Sequence, residues 1–89
     1  MTTSEVVKQI EQAQAATRAA LSALNGLIVP HDYQDVAALV AKATLELLEA
    51  TQALMHNDDT KAFDAIERAD EFIGGVFEIV DSELDDDEA

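Results

Sequence analysis

Residues 33–55 read YQDVAALVAKATLELLEATQALM. Val36, Val40, Ala43, Leu47, Ala50 and Leu54 recur at steps of four and three, the spacing of a packed helical seam. Leu39, Leu48 and Met55 widen that seam, so the helix is predicted to touch two neighbours rather than one. Its ends carry boundary chemistry. Pro30 biases Val29 toward an extended backbone, Asp32 is a candidate N-cap, and Asp35 sits near the positive end of the helix dipole. At the other end stands His56-Asn57-Asp58-Asp59. Asn can close a helix there, and either Asp can cap the next one.

Helical patterns flank this segment on both sides. Over residues 4–25 the small and apolar positions are Val6, Ile10, Ala13, Thr17, Ala20 and Leu24, with Leu27 beyond, again at heptad spacing. Ser4 or Thr3 is expected to cap its start. Asn25-Gly26 is expected to stop it, with Gly26 left-handed and Leu27 folded back on Leu21. Over residues 60–84 the seam reads Phe63, Ile66, Ala69 or Asp70, Ile73, Phe77, Val80 and Leu84. Gly74-Gly75 interrupts it at a cost of about 2 kcal/mol relative to two alanines. It marks either a kink or a straight helix whose bare backbone admits a close neighbour. These seams assign Leu47 and Ile66 to the core.

Short connections place successive helices antiparallel. The expected fold is all-α, an antiparallel three-helix bundle or a long helical hairpin with a docked, Gly74-Gly75-kinked third helix. Residues 1–84 form the single domain, and 85–89 form an acidic tail that frays, because its acids oppose the helix dipole and repel one another.

Composition narrows the chemistry. The 89 residues contain no Cys and no Trp, which excludes disulfides and thiolate metal sites. The start, Met1-Thr2-Thr3-Ser4-Glu5, has no basic n-region followed by an apolar h-region, and no apolar run approaches a membrane span of about 18–20 residues. A cytoplasmic protein with no membrane contact is expected. His31 beside Asp32 and Asp35, and His56 beside Asp58 and Asp59, supply one nitrogen ligand each at helix ends, so no metal is expected. The run from Asp81 to Glu88 lacks the Gly and the terminal Glu of an EF-hand loop. Ser4, Ser22 and Ser82 occupy ordinary helical or capping positions, and no phosphate-cradling Gly loop occurs. The reading is a non-enzyme without cofactors.

Charge is the strongest signal. The net charge is −14, and it is uneven: residues 1–30 sum to zero, 31–56 to −3 and 57–89 to −11. Direct contact with nucleic acid is disfavoured by like-charge repulsion, and a basic protein surface is the natural partner. On the third helix Asp64, Glu67, Glu71, Glu78 and Asp81 recur beside the seam, with Asp58 and Asp59 at one end. Steps of three or four residues advance about 5–6 Å along a helix axis, a sparser line than the ~3.4 Å phosphate spacing of B-DNA. These seven acids are the predicted partner-binding residues. In size and charge, though not in sequence, the chain is similar to small acidic inhibitors, often phage-encoded, that block nucleic-acid-binding enzymes or defence complexes. The expected function is occupation of a partner's basic surface, in the manner of a nucleic-acid mimic. The alternative is a small adaptor or chaperone that takes a partner helix in an apolar groove, its charge serving solubility. The Ala-rich first helix, through Ala13, Ala16 and Ala20 or Ala15, Ala19 and Ala23, offers a surface for a homodimer.

Overall fold

The computed structural model describes residues 1–29 and 33–88, of which 82–88 by backbone alone. It contains three helices: α1 (Thr3–Asn25), α2 (Gln34–Met55) and α3 (Asp59–Glu88). α3 extends beyond the expected 60–84 at both ends, running into the acidic tail. The expected cap at Asp32 lies outside the described residues, as do Pro30 and His31. Tyr33 precedes α2 without a side-chain capping bond.

The other caps follow from local chemistry. Thr2, rather than Thr3 or Ser4, caps α1, its hydroxyl oxygen accepting from the Glu5 N–H at 3.2 Å. Gly26 closes α1 with φ −96°, not in the left-handed region expected of it. Its N–H bonds back to Ser22 and Ala23, and Leu27 stays largely exposed. The second break is tighter. Asn57 is left-handed, φ 58°. The Asp58 N–H donates to the Ala53 carbonyl and the Asn57 N–H to the Leu54 carbonyl, the paired bonds of a Schellman ending. Asp58 at once begins the next helix, its carboxylate accepting from the Lys61 N–H at 3.1 Å. One residue pair thus stops α2 and starts α3.

The helices form an antiparallel bundle with α2 in the middle. α2 packs on both neighbours, and among the described residues the α1 and α3 backbones do not come close to each other. Leu39 near the start of α2 meets Gly75 late in α3, and Glu46 meets Arg68. On the other side the Gln34 amide donates to the Leu24 carbonyl at 2.6 Å. The third side of the bundle is therefore open, and the molecule is flattened, 54 × 29 × 17 Å.

The core is made of alanine. Ala43, Ala50 and Ala53 on α2 and Ala62, Ala65 and Ala69 on α3 are buried, and four of these form one contiguous cluster. Such small side chains let the α2 and α3 backbones approach at the near end of the ~8–10 Å interaxial range. This corrects the expected seams. On α3 the buried row is Ala62, Ala65 and Ala69, continued by half-buried Phe72, Val76 and Ile79. It lies one residue before the expected Phe63, Ile66 and Phe77, a rotation of about 100°, while Ala69 of the expected α3 seam is buried, its Ile73 and Val80 are half-buried, and Ala43 and Ala50 of the expected α2 seam are buried. Phe63, Ile66 and Phe77 are exposed, as are Val40, Leu47 and Leu54 on α2. The reason is visible at position 70. A row through Phe63, Ile66 and Phe77 with Asp70 as its middle member would have turned Asp70 toward α2, and an unpaired buried carboxylate costs several kcal/mol. The observed rotation leaves Asp70 exposed and brings Arg68 to Glu46 at 2.9 Å and Glu49 at 3.6 Å. The α1 row holds better: Ile10 is buried and Val6, Ala13, Thr17 and Leu24 are half-buried, while Ala20 is exposed and Gln14 joins the buried set.

α3 is continuous through Gly74-Gly75, so no break separates its halves. The two glycines differ. A methyl at Gly75 would meet Leu39 Cδ1 at 3.4 Å, whereas one at Gly74 would meet nothing within 4 Å. Gly74→Ala is therefore expected to stabilise the protein by about 1 kcal/mol, or roughly 4–8 °C in Tm for a domain of this size. Gly75→Ala should yield less. Equal gains in thermal melts would show that Leu39 does not pack against Gly75.

Candidate functional site

The acidic row can now be placed on this frame. Ala62, Ala65 and Ala69 define the side of α3 that faces α2. The opposite side, half a turn away, carries Asp64, Glu67, Glu71 and Glu78, with Asp81 turned slightly off the line. All five are exposed. They form the outer edge of the molecule, farthest from the other helices. From Asp64 to Asp81 the row spans about 25 Å at 1.5 Å per residue. Gly74 occupies the one heptad position of the row that lacks a carboxylate, leaving a gap of about 10 Å between Glu71 and Glu78. Asp58 and Asp59 lie at the hairpin end of the same helix. Asp58 has a structural duty as the α3 cap, and Asp59 sits in the first turn, where the dipole favours a negative charge. The seven predicted residues thus divide into five on one edge and two at its end.

Electrostatics separate this edge from the rest of the protein. Among the described residues the ion pairs join Arg68 to Glu46 and Glu49, and none reaches the acids of the outer edge. Arg68 is held toward α2 by its hydrogen bond to Glu46. That bond, with the charges of Glu46, Glu49 and Asp64, raises the guanidinium's pKa above its ordinary value against an opposing desolvation. Arg68, four residues from Asp64, is therefore already engaged. The outer carboxylates form no ion pair among the described residues, although the Arg68 charge still acts on Asp64.

The face bearing Arg68 is grooved and of mixed charge. A shallow hollow between the helices is lined by Gln14, Arg18, Glu46, Glu49, Gln52 and Lys61, and a second by Glu49, His56, Asp58 and Lys61 among others. The Gln52 amide bridges to Glu11 there at 3.5 Å. The threonine hydroxyls nearest these elements are spent locally: Thr17, Thr44 and Thr51 each donate to the carbonyl four residues earlier. Among the described residues no cluster of three His, Asp or Glu side chains is arranged to hold a metal, and no helix is long and apolar enough to cross a membrane.

One surface escaped the sequence reading. The residues assigned to the seams, Val40, Leu47, Leu54, Phe63, Ile66 and Phe77, are solvent-facing and 41–64% exposed. The alanine ladder at 62, 65 and 69, together with Asp70 inside the supposed seam, was the signal that pointed to this rotation. Comparison of the chain with protein-family models, curated proteins and solved structures yields no match.

Proposed function

We propose that the protein is a non-enzymatic binding module that occupies a basic surface of a partner protein in the cytoplasm. The observation that carries this reading is the outer edge of α3: a line of exposed carboxylates left without ion pairs, in a chain whose net charge is −14. A partner's Lys and Arg side chains meet this line as they would meet phosphates, and binding releases the counterions gathered on both surfaces. The protein then competes with nucleic acid for a groove built to hold it. Inhibition of a nucleic-acid-binding enzyme or defence complex is the form this function takes.

Immobilised protein exposed to a lysate of the source cells provides the test. Basic nucleic-acid-binding proteins should be retained at low salt, released steeply as salt rises, and displaced by added duplex DNA. Retention that ignores both salt and DNA would overturn the reading. It would favour the adaptor alternative, in which the partner docks against apolar surface; the exposed side chains of α2 and α3 are the observation in its favour.

A further inference from the structure

α2 and α3 share a broad face that the acidic edge does not use. Val40, Leu47 and Leu54 recur every seven residues along α2, and Phe63, Ile66 and Phe77 line the adjoining flank of α3. The contacts of Arg68 with Glu46 and Glu49 mark one side of the α2–α3 seam. By helical rotation all six apolar residues fall on the other side, where the antiparallel register sets Leu54 near Phe63 and Val40 near Phe77. α1 extends this face with Ala16 and Ala20, because Glu11 and Arg18 are turned toward the grooved side. Apolar side chains dominate the face, with the exposed Thr44 and Thr51 beside them on α2. Asp70 is the charge in its middle, and Asp59 and Asp81 lie near its ends.

We infer that this face is the interface of a homodimer, covered by a second copy of the chain. The first argument is the missing layer. Domains bury their elements between packed layers, yet here three helices lie side by side and no large side chain is fully buried among the described residues. An alanine core in a chain of this size leaves much of its apolar surface wet, and small folds commonly make up that deficit by oligomerising. The second argument is charge. With the twofold axis parallel to the helices, α2 stacks on α2 and each neutral α1 covers the other copy's α3. Asp70 then faces a helix of zero net charge rather than a second acidic helix, and the two acidic edges stay on opposite rims. The uneven charge, zero over residues 1–30 against −11 over 57–89, suits this pairing.

The inference is independent of the acidic-edge reading, because the two use different surfaces. Sedimentation equilibrium of the purified full chain is the test. The expected mass is twice the 9.6 kDa of one chain, and the melting temperature should rise with protein concentration. Leu47→Asp combined with Phe77→Asp should weaken the dimer by about a hundredfold or more, since each charge enters a symmetric interface twice. Helical circular dichroism should persist in that variant at low temperature. Leu47→Ser alone provides a milder version should the double variant not fold. Glu67→Lys with Glu71→Lys should leave the mass unchanged, so failure of the acidic edge is read separately. A single-chain mass at every concentration with a concentration-independent melting temperature would overturn the dimer. So would a dimer that survives both apolar-face variants, or a single chain that pairs only with an added basic amphipathic helix.

Discussion

Ala65→Asp is expected to unfold the protein at room temperature. Ala65 is 0% exposed and sits in the cluster with Ala50, Ala53 and Ala62 between α2 and α3. A carboxylate there has no base facing it across the seam; Arg68 is already bonded to Glu46. Burying an unpaired charge costs several kcal/mol, and forcing extra atoms into the closest contact adds roughly 1–3 more. The whole stability expected of a chain this size is about 4–13 kcal/mol. The effect should therefore be loss of the cooperative transition rather than a small shift in it. Ala65→Gly is the control: it removes one methyl and about 1 kcal/mol of helix propensity and should leave a folded, weaker protein. Far-UV circular dichroism with thermal and urea melts checks both. A melting temperature for Ala65→Asp within a few degrees of the parent would mean that α2 and α3 do not meet through this ladder.

Reversing Asp64, Glu67 and Glu71 to Lys should abolish partner binding while the helical spectrum stays unchanged. The three positions lie on the outer edge of α3, are exposed, and make no ion pair, so the fold loses little beyond the attraction between Asp64 and Arg68 when their charge changes. Surface substitutions of this kind usually cost less than about 0.5 kcal/mol each. The interface loses three attractions and gains three repulsions against the same basic surface. Affinity should fall by about two orders of magnitude or more at low salt, with a shallower salt dependence in what remains. The matched change of Glu5 and Glu11 to Lys should matter far less, because Glu11 belongs to the grooved face near Gln52 and α1 lies across the molecule from the acidic edge. Equal losses in the two variants would leave only the overall field. No loss in either would remove the edge as an interface.

Parts of this molecule were legible in the residues themselves. The Asn57-Asp58 break reads directly, because a left-handed Asn and a capping Asp act within a few residues of their own backbone. The row of Asp64, Glu67, Glu71, Glu78 and Asp81 also reads directly, since a charged side chain without a buried partner stays in water whatever the rest of the chain does. α1 resisted in detail: Gly26 ended it without the left-handed turn, since its N–H reaches the carbonyls of Ser22 and Ala23 with φ still negative.

The sequence by itself determined three helices, their antiparallel order and the side of α3 given to solvent and charge. Only the tertiary structure decided which row of each helix faces its neighbour. Heptad spacing is unchanged when a helix is turned by one residue, so Phe63, Ile66 and Phe77 satisfy the pattern as well as Ala62, Ala65 and Ala69 do. The choice depends on what the opposing helix presents. Alanines on both α2 and α3 allow close backbone approach, the position of Asp70 penalises the alternative, and Arg68 reaches Glu46 in only one of the two rotations. These are pairwise terms between residues far apart in the chain, and no single helix carries them. The same rotation that buries the alanines also turns the large apolar side chains outward.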